Sequence, residues 1–126
     1  MEYKATFKID CGVCYGYGIR NPDCLELNEK LVAEDNLSAI VSAVKKARHF
    51  GRDYLTNPHN NLTTVTLKRL SDANGNSLDM RIILKSAGYD SVKNFEWNKE
   101  NQLVTKCSLL DHMLYHHPVD AQDEGI

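Results

Sequence analysis

The sequence predicts an α+β domain in which one long helix packs on an antiparallel sheet. The N-terminal segment alternates strictly between apolar and polar residues, and the stretch from Asn36 to Leu55 carries a wide apolar arc at helical spacing. An Asn-Gly pair lies between two apolar segments, the signature of a hairpin. With 126 residues the chain suits one core. We expect one domain over residues 1–117 and an acidic, flexible tail over 118–126.

Tyr3, Ala5, Phe7 and Ile9 share one face of the first strand, and Lys4, Thr6 and Lys8 share the other. A glycine-rich turn is expected over Cys11–Gly18, followed by a break at Asn21-Pro22-Asp23. Residues 24–33 read as a second strand through Leu25, Leu27 and Leu31.

Asp35 or Asn36 suits the N-cap of the helix, predicted over residues 36–55. Leu37, Ile40, Val41, Val44, Gly51 and Leu55 form its stripe, widened by Ala39, Ala43, Ala47, Phe50 and Tyr54. One sheet contact does not need so wide an arc, so the alanine flank is expected to receive a second helix or a second copy of the chain. Asn57-Pro58 ends the helix, because a residue before proline disfavours helical angles.

Thr63-Thr64-Val65-Thr66-Leu67 reads as a third strand, and Asp72-Ala73-Asn74-Gly75-Asn76 as its turn. Met80, Ile82 and Leu84 alternate as a fourth strand. Residues 87–99 look irregular. A helix is expected over residues 101–117, with Leu103, Cys107, Leu110 and Leu114 as its stripe. The expected order is β-β-α-β-β-α, a four-stranded antiparallel sheet with both helices on one face.

Composition narrows the function classes. The 42% hydrophobic and 25% charged content is that of an ordinary globular protein. A net charge of −2 exerts no global pull toward nucleic acid or anionic membrane. No apolar run reaches the length of a signal peptide or a membrane span, so a cytoplasmic location is expected. In a reducing compartment the four cysteines are thiols or metal ligands rather than disulfides.

The sharpest local pattern is Cys11-x-x-Cys14-x-Gly-x-Gly, with Cys24 ten residues beyond Cys14. Two thiolates on a short loop can form half of a tetrahedral zinc site, with Cys24 as a third ligand. Cys107, or His112 with His116, would have to supply the fourth, yet Cys107 lies on an apolar stripe and the histidines lie opposite one. The alternative is a glycine-rich hairpin loop with incidental thiols. Over the eight residues Cys11–Gly18 the segment resembles one unit of the cysteine-rich repeat of DnaJ-class chaperones. Those units work in pairs and one unit stands here, so the resemblance implies no chaperone function.

Basic residues form the second pattern. If Val65, Leu67, Met80, Ile82 and Leu84 face the helices, then Lys68, Arg81 and Lys85 join Lys4 and Lys8 on a wet, basic sheet face suited to phosphates or a nucleic acid strand. The third is Arg48, within the apolar stripe and one turn before Arg52. Its guanidinium must snorkel, pair with Asp53 or Glu34, or line an anion pocket.

No nucleophile elbow, His-Glu-x-x-His, phosphate loop or dinucleotide fingerprint is present. The expected function is therefore a non-catalytic binding or regulatory module that contacts an anionic ligand through Arg48, Arg52, Lys68, Arg81 and Lys85, or a partner protein. It is expected to act as a homo-oligomer through the flank of Ala39, Ala43, Ala47, Phe50 and Tyr54. The alternatives are a zinc-stabilised domain (Cys11, Cys14, Cys24) that binds nucleic acid, and an enzyme with an unrecognised site.

Overall fold

The computed structural model describes residues 1–15, 18–53 and 62–108, with the backbone alone for residues 11–15, 18–24, 62 and 108. The chain builds β1 (Glu2–Tyr15), β2 (Gly18–Val32), α1 (Asn36–Asp53), β3 (Leu62–Ser71), α2 (Met80–Ser86), β4 (Glu96–Trp97) and β5 (Leu103–Ser108). Among the described residues one sheet has five strands in the order β2-β1-β3-β5-β4, every neighbouring pair antiparallel. The α+β class and the antiparallel sheet stand as expected. The strand number and the element order do not.

The alternation over residues 3–9 sets the sheet's two faces. Tyr3, Ala5, Phe7 and Ile9 are buried, and their register partners Leu67 and Val65 on β3 are buried with them. Helix α1 covers this face. Asp35 caps it, its Oδ1 accepting from the Ser38 amide at 2.7 Å, while Asn36 Oδ1 instead accepts from the Tyr3 hydroxyl at 2.9 Å.

The alanine flank corrects the assembly surface. Ala39, Ala43 and Ala47 are fully buried with Ile40 and Val44, against the chain's own sheet. Small side chains let the helix axis approach the strands closely, so this row is the docking seam and not a surface for a second copy. Phe50 is half-buried and meets Phe7 edge-on, with centroids 5.2 Å apart. Tyr54, Leu55 and Asn57-Pro58 lie outside the described residues.

Three local expectations are overturned. Of the glycine-rich turn expected over Cys11–Gly18, Cys11–Tyr15 and Gly18 are strand, with Cys11 paired to Asp23, Cys14 to Ile19 and Tyr15 to Gly18, so the Asn21-Pro22-Asp23 break falls inside β2; Gly16 and Tyr17 lie outside the described residues. A register shift between Cys11 and Val13 absorbs the irregularity that glycine and proline impose on such a ladder.

The expected fourth strand is α2. The Asp72–Asn76 turn forms, with Gly75 at φ 82° and Asp72 Oδ1 accepting from Asn74 and Asn76. The return strand dies after Ser77 and Leu78. Asp79 then accepts from the Ile82 amide at 3.1 Å and starts a helix. Gly88, at φ 93°, closes it: the Gly88 amide donates to Lys85 O and the Tyr89 amide to Leu84 O. Met80 and Leu84 are buried one turn apart, while Ile82 is 62% exposed, as helical spacing requires and alternation forbids.

The start of the expected C-terminal helix is β5. Leu103 and Thr105 are buried between half-buried Val104 and exposed Lys106, a period of two. A turn precedes it, in which Asn98 Oδ1 accepts from the Glu100 and Gln102 amides and Asn101 takes φ 57°. Leu110, Leu114, His112, His116 and the acidic tail lie outside the described residues. Within the described residues no helix is long and apolar enough to cross a membrane.

Helix α1 also meets β5 through Gly51, where an added Cβ would lie 2.6 Å from Cys107 Sγ. Gly51→Ala should therefore destabilise the protein by about 1–3 kcal/mol despite its gain in helix propensity. Combining it with Cys107→Ala should recover a large part of that loss, and urea unfolding of the four-member cycle measures the coupling.

Asp35 makes a second test. The Ser38 backbone amide, followed by the Ser38 hydroxyl, holds its carboxyl below the ordinary carboxylate value. A depressed folded-state pKa adds stability above the unfolded-state value, which is lost as pH falls through the folded-state value. The urea-midpoint advantage of wild type over Asp35→Asn should be present at neutral pH and shrink on acidification through the carboxylate range.

Candidate functional site

The five basic residues expected to form a ligand site fall in three places. Arg48 is buried on α1, its Nη2 donating to the Lys93 carbonyl at 2.9 Å and its guanidinium 5.4 Å from the centroid of Phe95. It thus holds the loop around Val92–Phe95, whose Val92 and Phe95 join the core. Arg52 is half-buried one turn further on. Lys68 lies on the far face of the sheet.

Arg81 and Lys85 do not lie on the sheet at all, because their segment is α2. With Tyr89, Asp90 and Trp97 they line a cavity of about 110 Å³. The Arg81 guanidinium stacks 5.5 Å from the centroid of Trp97 and donates to Asn101 Oδ1 at 2.9 Å. The basic sheet face loses these two cations.

Strand register defines that face more fully than the sequence did. Opposite the α1 side lie Lys4, Thr6, Lys8 and Asp10 of β1, Thr64, Thr66, Lys68, Arg69 and Ser71 of β3, and Val104 and Lys106 of β5. Glu26, Asn28 and Lys30 of β2 join them from the edge. Among the described residues no helix packs on this face. Arg69 and Lys106 were missed because the third strand was ended at Leu67 and the last element was read as a helix; Lys30 lies in the expected second strand, whose polar face was not read.

At one end the face runs into a cleft of about 640 Å³, lined by Glu26, Lys68, Arg69, Asp79, Glu100 and Asn101 among others. Its charges are largely committed. Lys68 Nζ is 3.2 Å from Glu26 Oε2, Arg69 Nη2 donates to the Gly75 carbonyl at 2.9 Å, and Asp79 caps α2. The cleft is a polar, internally neutralised hollow. The unbalanced positive charge lies on the flat face beyond it.

Cys11, Cys14 and Cys24 stand in the β1–β2 ladder, where Cys11 pairs with Asp23 and Cys24 with Asp10, but their side chains lie outside the described residues. Among the described residues no group of three potential metal ligands gathers. No family model, curated protein or solved structure matches this chain.

Arg48→Met keeps most of the packed stem and removes the hydrogen bond and the ring contact. It should cost about 2–3 kcal/mol in urea unfolding, from one bond to a charged group and one cation–π contact. Hydrogen exchange at Val92–Phe95 should rise in the same variant.

Proposed function

We propose that this chain is a non-catalytic binding module that holds an anionic ligand or partner on the open face of its sheet. One observation carries the reading. A protein of net charge −2 sets Lys4, Lys8, Arg69 and Lys106 on three adjoining central strands of that face, with Lys68 paired to Glu26, Asp10 against them, and Glu2 and Glu96 toward the margins. Threonine and serine fill the positions between. Ammonium and hydroxyl donors on a flat, rigid sheet suit phosphate or carboxylate oxygens repeated along a ligand.

Among the described residues this face carries no aromatic side chain, so charge and hydroxyl contacts, without base stacking, account for the binding. Labelled inorganic polyphosphate and a labelled polyglutamate peptide are the probes. Fluorescence anisotropy should show binding to at least one of them that weakens steadily with salt. Replacing Lys4 and Lys106 together by glutamate should weaken it and lower the salt slope by about two. No binding to either probe at low salt, or an unchanged slope in the double variant, sinks the reading.

The zinc-stabilised alternative rests on the sequence spacing of Cys11, Cys14 and Cys24. Metal analysis of protein purified without chelator decides it. Roughly one equivalent of zinc supports a structural site, whose affinity is tight, and under about a tenth of an equivalent removes it.

A further inference from the structure

We infer that the outer edge of β2 pairs with the same edge of a second copy of this chain, with the two-fold axis at Asn28. Among the described residues β2 has a strand on one side only. Met1 and Ala33 exchange both backbone bonds, Ala33 N to Met1 O at 3.1 Å and the Met1 ammonium to Ala33 O at 3.0 Å. Such pairs recur at every second residue of an antiparallel ladder. The register is unbroken from Glu2 opposite Val32 to Cys11 opposite Asp23. Leu25, Leu27, Glu29 and Leu31 therefore turn their backbone groups to β1. Those of Glu26, Asn28, Lys30 and Val32 point outward.

An antiparallel second copy engages these groups only where even-numbered residues face even-numbered residues, so its permitted registers are few. Side-chain charge selects among them. An axis at Glu26, Glu29 or Lys30 sets that charge against itself. Axes at Leu27 and at Asn28 both set a leucine against Glu29, but the Leu27 axis faces Glu26 with Asn28 and brings no opposite charges together. An axis at Asn28 sets Glu26 opposite Lys30 of the second copy, and Lys30 opposite Glu26 of the second copy.

Two features of the single chain fit this register. Lys30 faces Lys4 across the β1–β2 ladder, a like-charged pair that a carboxylate from a second copy offsets. Leu25, 39% exposed, comes opposite Leu31 of the second copy on the helix side. Glu26 is exposed, and its two carboxylate oxygens can serve Lys68 and the incoming lysine together. The same charges oppose pairing in other registers, which protects a long edge from indiscriminate addition.

The axis stands normal to the sheet, so the two open faces lie on one side of a continuous sheet. A long anionic ligand would then meet both. The assembly does not depend on that ligand.

Sedimentation velocity from micromolar to millimolar concentration tests the pairing. Wild type should form a dimer that weakens with salt. Glu26→Lys alone and Lys30→Glu alone each oppose like charges twice, and each should weaken self-association by about tenfold or more. An equimolar mixture of the two should dimerise again, as should the double variant, with circular dichroism confirming the fold of each. A wild type that stays monomeric, a dimer unmoved by both reversals, or a mixture no stronger than its components overturns the inference. Probe binding on the open face is read separately, so either idea can fail while the other stands.

Discussion

The close approach of α1 to the sheet is the constraint on which the rest of the structure depends. Ala39, Ala43, Ala47 and Gly51 recur every four residues, all of them buried, and Ile40 and Val44 pack beside them. At Gly51 the approach leaves no room for a methyl group beside Cys107. A helix seated this tightly covers apolar residues of β1 and β3, and Met80, Leu84, Val92 and Phe95 complete the same core. Among the described residues no helix packs on the opposite face, and α1 carries Arg48 inward to the carbonyl and ring that hold the Val92–Phe95 loop. Arg48 is thus a fastening, made possible because the flat guanidinium can stack and donate at once.

Charge separates along the same division. The helix side takes the apolar half of each alternation, so the polar half of β1 and β3, rich in lysine, threonine and serine, is driven to the open face. Its carboxylates sit toward the edges or are committed: Glu26 to Lys68, and Asp79 to the cap of α2. The positive face follows from strand register and not from overall composition, which is slightly acidic. The 15-residue length of β2 follows from register too, because the hairpin continues through residues that look like loop.

How far the sequence could be read depended on which periodicity a segment can satisfy. Residues 3–9 permit alternation and nothing else, and they form a strand as expected. Met80, Ile82 and Leu84 satisfy both periods at two of three positions, since i and i+4 share a face in helix and strand alike. The tie is broken by Asp79 and Gly88, two helix-end signals visible in the sequence but outweighed by the alternation. Leu103 and Cys107 present the same ambiguity in reverse. There the open edge of β3 needed a partner, and Val104 and Thr105 were suited to supply it. The candidate site suffered accordingly: Lys4, Lys8 and Lys68 were placed on the correct face, Arg81 and Lys85 on the wrong element, and Arg69 and Lys106 not at all.

By itself the sequence determined the local elements whose side chains admit one solution: the first strand and its two faces, the long helix with its cap region, the third strand and the Asn-Gly turn. Their patterns depend only on neighbours along the chain. Tertiary structure decided which flank of α1 is buried, which partner completes β3, where Arg48 ends and which cations share a face. Each of these depends on contacts between residues far apart in sequence, such as Gly51 with Cys107 or Arg48 with Lys93. Local periodicity carries no information about such distant partners.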